Sequence, residues 1–307
     1  MPQSIEQILA AKNLTGIITD VVGGVPDDLI PPEYLRDSTP VAGDYGTYQR
    51  VSATRKLAKT TAYGSKARNA NTVGIGETPI KLLHTFEEWS HKPQTMMNLM
   101  AEGNEARQNM GAQTVARKAA EFGRRFQNFR LGCMYSAFAR GKISVDRDGE
   151  LQLTDQAATG GVDVDFDVPA DHKDQFGGLV TDWSNAATKI VTQMKKIKKQ
   201  ARKDTGLPVS TALYGEDLPD YFLTNTQTKE LINRSPALRD SFAQADRGEI
   251  PNGFLGLNWS PVDQAFYEKE DGTQTDFFGG DALILLPDAD RGWWEWLEGS
   301  YPVPTTV

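Results

Sequence analysis

Apolar residues recur between positions 115 and 133 at alternating steps of four and three: Val115, Ala119, Phe122, Phe126, Phe129 and Cys133. That spacing keeps them on one face of a 3.6-residue helix. Arg117, Lys118, Glu121, Arg124, Arg125 and Arg130 fall off the stripe, as a solvated face requires. The pattern predicts a helix from Gln113 to Arg140, about 42 Å long and more than twice the mean globular length. Gly141 supplies the stop signal. Ile143-Ser144-Val145 then alternates as a strand, Asp146-Arg147-Asp148-Gly149 reads as a turn, and Leu151-Gln152-Leu153 returns, which predicts a hairpin. Val162, Val164, Phe166 and Val168 alternate with Asp163, Asp165 and Asp167, the pattern of a strand with one wet face. A second helical stripe runs Trp183, Ala187, Ile190, Met194, Ile197, Ala201, and Gly206 and Pro208 end it. Val209–Leu213 reads as a strand, 217–223 and 226–233 as helical, 266–272 as a hairpin with an Asp-Gly turn, and Ala282–Leu286 as a buried strand. These alternating elements predict an α/β region at 176–286.

The chain before the long helix behaves differently. Residues 13–48 are rich in Gly and Pro and carry little periodicity, which predicts an extended arm lying on another surface, often a neighbouring subunit. Residues 50–76 have few large apolar side chains and bury little by themselves, so they read as a protruding loop or two-stranded flap. The first residues read as a short helix with Ser4 and Gln7 in capping-box spacing, without the basic and apolar regions of a signal peptide. No run reaches the roughly 18–20 apolar residues of a membrane helix.

Charge adds a second layer. Lys and Arg total 33 against 41 Asp and Glu, a formal net charge of −8. That is the wrong balance for a protein whose main task is gripping nucleic acid. The average conceals segregation. Arg50, Arg55, Lys56, Lys59, Lys66 and Arg68 occupy a stretch without one acid. Residues 183–203 are also acid-free and carry Lys189, Lys195, Lys196, Lys198, Lys199, Arg202 and Lys203. Residues 146–174 hold nine acids against Arg147 and Lys173. Complementary patches on one chain suit self-association, and solvated faces of an ordinary domain are the plain alternative.

Chemistry-bearing motifs are missing. His84, His91 and His172 form no His-Glu-x-x-His pair, and Cys133 has no second cysteine with which to build a disulfide or a zinc site. Cys133 lies on the apolar stripe and reads as a packed thiol. There is no phosphate loop and no Gly-x-Ser-x-Gly elbow, and Gly74-Ile75-Gly76 lacks the strand and third glycine of a dinucleotide site. Asp163-x-Asp165-x-Asp167 starts like a calcium loop, but Val168 and Asp174 stand where Gly and Glu are needed. Trp293-Trp294-Glu295-Trp296 reads as aromatic filling of a core or interface.

The order of arm, basic loop, long helix, hairpin and α/β region resembles the α+β major capsid fold of tailed bacteriophages, the Hong Kong ninety-seven type. Particular residues are similar to the phage-lambda-type major capsid protein E family. Arg124-Arg125-Phe126-Gln127-Asn128-Phe129-Arg130 and Ala137-Phe138-Ala139-Arg140-Gly141-Lys142-Ile143 resemble its spine helix running into a strand. Val164-Asp165-Phe166 resembles a further segment, with Asp167 in place of the usual glycine. Trp183-Ser184 opening a helix that ends at Thr205-Gly206, Ala212-Leu213-Tyr214-Gly215-Glu216-Asp217 with Phe222-Leu223-Thr224-Asn225, and Leu283-Ile284-Leu285-Leu286-Pro287 resemble others.

The resemblance implies an N-terminal arm at 1–48, an E-loop at 49–80, a peripheral domain with its spine helix at 81–175, an axial domain at 176–286 and a C-terminal return at 287–307. It implies a structural protein, not an enzyme, assembling as hexamers and pentamers into an icosahedral shell around double-stranded DNA that is contacted without sequence preference. Assembly would take place in the host cytoplasm and the product would be the virion. A separate scaffolding protein and a portal are the implied partners, a decoration protein being an optional one whose presence the sequence does not decide; no cofactor, metal or membrane is expected. The family places residues 50–76 over an adjacent subunit. Arg50, Arg55, Lys56, Lys59, Lys66 and Arg68 are therefore expected to meet Asp163, Asp165 and Asp167 of a neighbour. An encapsulin-like nanocompartment shares the fold, but the lambda-type segments argue against it. A cytoplasmic α/β enzyme built on 176–286 would need motifs that the sequence lacks.

Overall fold

A computed structural model of the chain describes residues 34, 38–42, 45–50, 76–85, 94, 97, 105–152, 161–244, 249–262, 266–268 and 272–300. In chain order the principal elements are strands β1 (Thr39–Ala42), β2 (Tyr45–Arg50) and β3 (Gly76–Lys81), helix α1 (Glu105–Arg140), and strands β4 (Lys142–Val145), β5 (Leu151–Gln152) and β6 (Val162–Asp165). Helix α2 (Ile190–Thr205), strand β7 (Val209–Tyr214), and helices α3 (Leu218–Thr224), α4 (Thr226–Arg234) and α5 (Pro236–Gln244) follow. Strands β8 (Asn258–Pro261), β9 (Phe266–Glu268), β10 (Gln274–Asp276), β11 (Leu283–Pro287) and β12 (Leu297–Ser300) complete the order. The fold divides into two units: residues 1–29, 83–166 and 264–278, and residues 30–82, 167–263 and 279–307.

The first unit is organised by α1. The helix has 36 residues, about 54 Å at 1.5 Å each. It starts at Glu105, eight residues before the apolar stripe predicts. Glu105-Ala106-Arg107-Gln108 are strong helix formers, so intrinsic propensity extends the helix on the N-terminal side of the stripe. It stops where expected: Gly141 has φ +65° and its amide donates to Ala137 O at 2.9 Å. Residues 131–136 are buried around the whole circumference. Gly132 allows this, because a Cβ there would lie 2.5 Å from Leu151 Cδ2 and 2.7 Å from Phe277 Cε1. Next to it Tyr135 stacks on Phe277 at 5.7 Å, and Phe277 meets Tyr267 at 5.0 Å.

The β9–β10 hairpin is antiparallel, as predicted, and through Phe277 it belongs with α1, although 254–262 and 279–287 on either side belong to the other unit. The β4–β5 hairpin also forms as predicted. Asp146 builds its turn, with Oδ1 accepting from the amides of Asp148 at 3.0 Å and Glu150 at 2.8 Å. β6 pairs with the other edge of β4.

The second unit is a three-stranded sheet in the order β11-β7-β8, with β11 antiparallel and β8 parallel to the central β7. α2 lays Ile190, Val191, Met194 and Ile197 into its core. Ile190, Met194 and Ile197 there join Trp183, Tyr214, Leu218, Phe222, Phe254, Leu257 and Trp259. The ring of Phe222 lies edge-on to those of Trp183, Phe254 and Trp259, with centroids 5.8, 5.6 and 5.4 Å away, the geometry aromatic quadrupoles favour.

The helix predicted from Trp183 begins only at Ile190. The reason is local and tertiary at once. Asp182 Oδ1 accepts from the Ser184 amide at 2.9 Å, and Asn185 Oδ1 from Ala187 at 3.0 Å, bonds that compete with a helix. The carbonyls of Ala186 and Thr188 go instead to Asn225 Nδ2, at 3.1 and 2.6 Å. Asn225 is fully buried and its Oδ1 caps α4 through the amides of Gln227 and Thr228. Trp183 still reaches the core, its Nε1 donating to Gln193 Oε1 at 2.6 Å. α2 ends at Gly206, φ +80°, as predicted. α5 has no counterpart among the predicted elements: its partly buried Leu238 and buried Phe242 are too few to mark a periodic face.

Two further pairings in this unit join distant segments. β1 runs parallel to β12 from Thr39↔Leu297 to Ala42↔Ser300. Tyr34 is fully buried, its hydroxyl donating to Pro287 O at 2.8 Å and its ring meeting Trp293 at 6.3 Å. The described part of the expected arm therefore lies on its own chain, and the tryptophan run helps to form that contact. β2 and β3 pair antiparallel from Tyr45↔Lys81 to Arg50↔Gly76, which holds the two ends of segment 51–75 side by side.

Candidate assembly surfaces

β6 carries the acidic residues singled out by the sequence. Val164 is buried, while Asp163 and Asp165 are exposed two positions apart, so period two projects both carboxylates from one face. Asp167 is also exposed but lies past the strand, with φ +51°, and so departs from the ladder. Asp165 stands opposite Lys142 in the β4 register, and Asp163 opposite Ser144. β6 pairs with β4 on one side only among the described residues, and charges along such an edge discourage indiscriminate strand pairing.

Of the basic candidates, Arg50 ends β2, opposite Gly76. Arg55, Lys56, Lys59, Lys66 and Arg68 lie outside the described residues.

α2 carries a surface that charge alone signalled without locating. Lys195, Lys196, Lys199, Arg202 and Lys203 are exposed. Helical geometry sets them on an arc of about 120°, away from buried Ile190, Met194 and Ile197. Lys198 turns elsewhere, its Nζ donating to Leu255 O at 2.8 Å and Gly256 O at 3.2 Å. Partial burial lowers its pKa from the usual lysine value. Asp204, the one acid in the helix, accepts from Gln200 Nε2 at 2.8 Å and lies 3.2 Å from His172 Nε2. The hydrogen bond with His172 is the main reason its carboxyl titrates below the usual aspartate range.

Nothing described resembles a catalytic centre. Cys133 is buried, and desolvation pushes its thiol up to about 12, far from a reactive thiolate. Among the described residues no group of three or more His, Cys, Asp or Glu side chains could hold a metal ion. No described helix is long and apolar enough to cross a membrane.

No curated protein matches the chain. A crystal structure of a prophage capsid protein from E. coli CFT073 aligns with a TM-score of 0.41 at 13% identity, covering 83% of this chain. The chain spans 60% of the length of that protein. The model of the family described as phage major capsid protein E matches residues 10–295, nearly the whole sequence. The chain belongs to the phage major capsid protein E family.

Proposed function

We propose that this chain is the shell subunit of a tailed-phage head, assembling as hexamers and pentamers into an icosahedral capsid around double-stranded DNA. The family match over residues 10–295 carries the reading. On this reading the chain folds as the Hong Kong ninety-seven architecture of arm, E-loop, peripheral domain with α1 as spine, and axial domain. The subunit's role is structural, its assembly takes place in the host cytoplasm, and a scaffolding protein and a portal are its partners. Negative-stain microscopy of the purified protein tests this. Rings, tubes or closed shells are expected; a monodisperse 33.8 kDa monomer at high concentration would overturn it.

Within that reading, segment 50–76 works in trans. Six cations in a stretch without one acid repel one another. The β2–β3 ribbon lets the segment leave and return at one place. The exposed carboxylates of Asp163 and Asp165 on β6 of a neighbouring copy, with Asp167 beside them, offer the complementary charge. Single exposed pairs contribute about 0–1 kcal/mol, but a shell repeats each of them at every interface. Reversing Arg55, Lys56 and Lys59 to Glu is expected to leave circular dichroism intact and to abolish or misdirect assembly. Reversal of Asp163, Asp165 and Asp167 to Lys in the same chain then restores it in part. Normal assembly of the first variant at both low and high salt would show that the segment is merely solvated.

A further inference from the structure

We propose that the exposed basic face of α2 contacts the phosphate backbone of the enclosed nucleic acid; this rests on the shell reading above and assigns that partner a surface. Lys195, Lys196, Lys199 and Lys203 are exposed, and from the first to the last the helix rises about 12 Å. Arg202 shares the arc. The four lysines form no ion pair among the described residues. Residues 183–203 contain no acid, and Asp204 is already engaged by Gln200 and His172. Lys198 has a structural task, closing on the carbonyls of Leu255 and Gly256; the other four lysines make no such bond among the described residues, and Lys203 only helps to lower the pKa of neighbouring Asp204. In a chain of net charge −8, concentrating cations on one helix face gives a polyanion a local foothold against an otherwise repelling surface.

The residue types favour nucleic acid over a protein partner. Interface cores are enriched in aromatic residues, Met and Arg and depleted in Lys. This face is four-fifths lysine, and the exposed large apolar residues among those described, Tyr45, Met97 and Leu223, lie on other segments. Duplex DNA presents one charge per about 1.7 Å of its axis, so the face spans several phosphates. Flexible ammonium groups match such an array without fixed geometry. The face offers nothing shaped to read base edges, and the binding is independent of sequence.

The test uses the full chain with a mixed-sequence duplex of about 30 base pairs, read by fluorescence anisotropy between roughly 50 and 200 mM salt. Particle formation is followed by electron microscopy in the same preparations. If about four phosphates are neutralised, affinity falls on the order of a hundredfold across that range. Changing Lys195, Lys196, Lys199 and Lys203 together to Gln is expected to weaken low-salt binding at least tenfold. The log–log salt slope should flatten by about 0.9 for each phosphate no longer neutralised, with circular dichroism and particle formation unchanged. The double variant Lys195→Gln/Lys199→Gln should give about half the change in slope, which guards against a folding defect in the quadruple variant. Unchanged affinity and slope in both variants would overturn the proposal. Loss of particles with DNA binding retained would also overturn it, marking the face as a protein-binding surface. Wild-type particles that bind no duplex would sink this inference alone, whereas absence of any wild-type assembly would sink the shell reading beneath it.

Discussion

The two units bury their apolar side chains in different ways. In the second, the aromatic cluster around Phe222 closes on itself, and every member of the cluster is 9% exposed or less. In the first, burial along α1 is graded. Among its described side chains, Val115, Ala119 and Gly123 are buried in its earlier part while Phe122, Phe126 and Phe129 stay half-buried, and only 131–136 are enclosed all round. Length explains the contrast. The strands near α1 have two to four residues, at most about 13 Å each at 3.3 Å per residue, against a helix of about 54 Å. Among the described residues, the second unit thus gathers its burial in one compact core, while the first concentrates it at one end of a long helix.

The largest test of that contrast is Phe222→Ala. Removing a ring shared by Trp183, Phe254 and Trp259 should cost about 3–5 kcal/mol, visible as an earlier urea transition in tryptophan fluorescence. A loss under about 1 kcal/mol would mean that the aromatic cluster is not what holds this unit together. Gly132→Val comes next. Its side chain would collide with Leu151 and Phe277 and should cost about 1–3 kcal/mol through overpacking. Near-ultraviolet dichroism should report disturbed packing of Tyr135 and Phe277, while the second unit's tryptophan signal stays in place. A matching shift of both signals would show that the units unfold as one. Cys133→Ala is the mildest, about 1–2 kcal/mol for a small buried group, with assembly retained. In the wild type, the raised thiol pKa predicts that thiol reagents leave folded protein unmodified at neutral pH and react once it unfolds. Stoichiometric metal in the purified protein would contradict this role for Cys133.

Local rules were enough for much of this architecture. The end of α1 at Gly141, the Asp146 turn, the Asp-Gly hairpin, the end of α2 at Gly206 and the alternation of acids along β6 all depend on residues within a few positions of one another. Backbone sterics and side-chain period decide such features before any tertiary structure forms. The acid-free stretch 183–203 was equally plain as composition, but whether Lys189 belonged to the helix with the other cations depended on where α2 began. That start was decided by Asn225, almost forty residues away, which takes the carbonyls that a longer helix would have used. The parallel pairing of β1 with β12, the seating of Tyr34 on Pro287 and Trp293, and the placement of β9–β10 against α1 likewise had no signal in the local pattern. Strand edges and buried hydroxyls accept any partner of suitable geometry, and only the folded chain selects which distant segment supplies it.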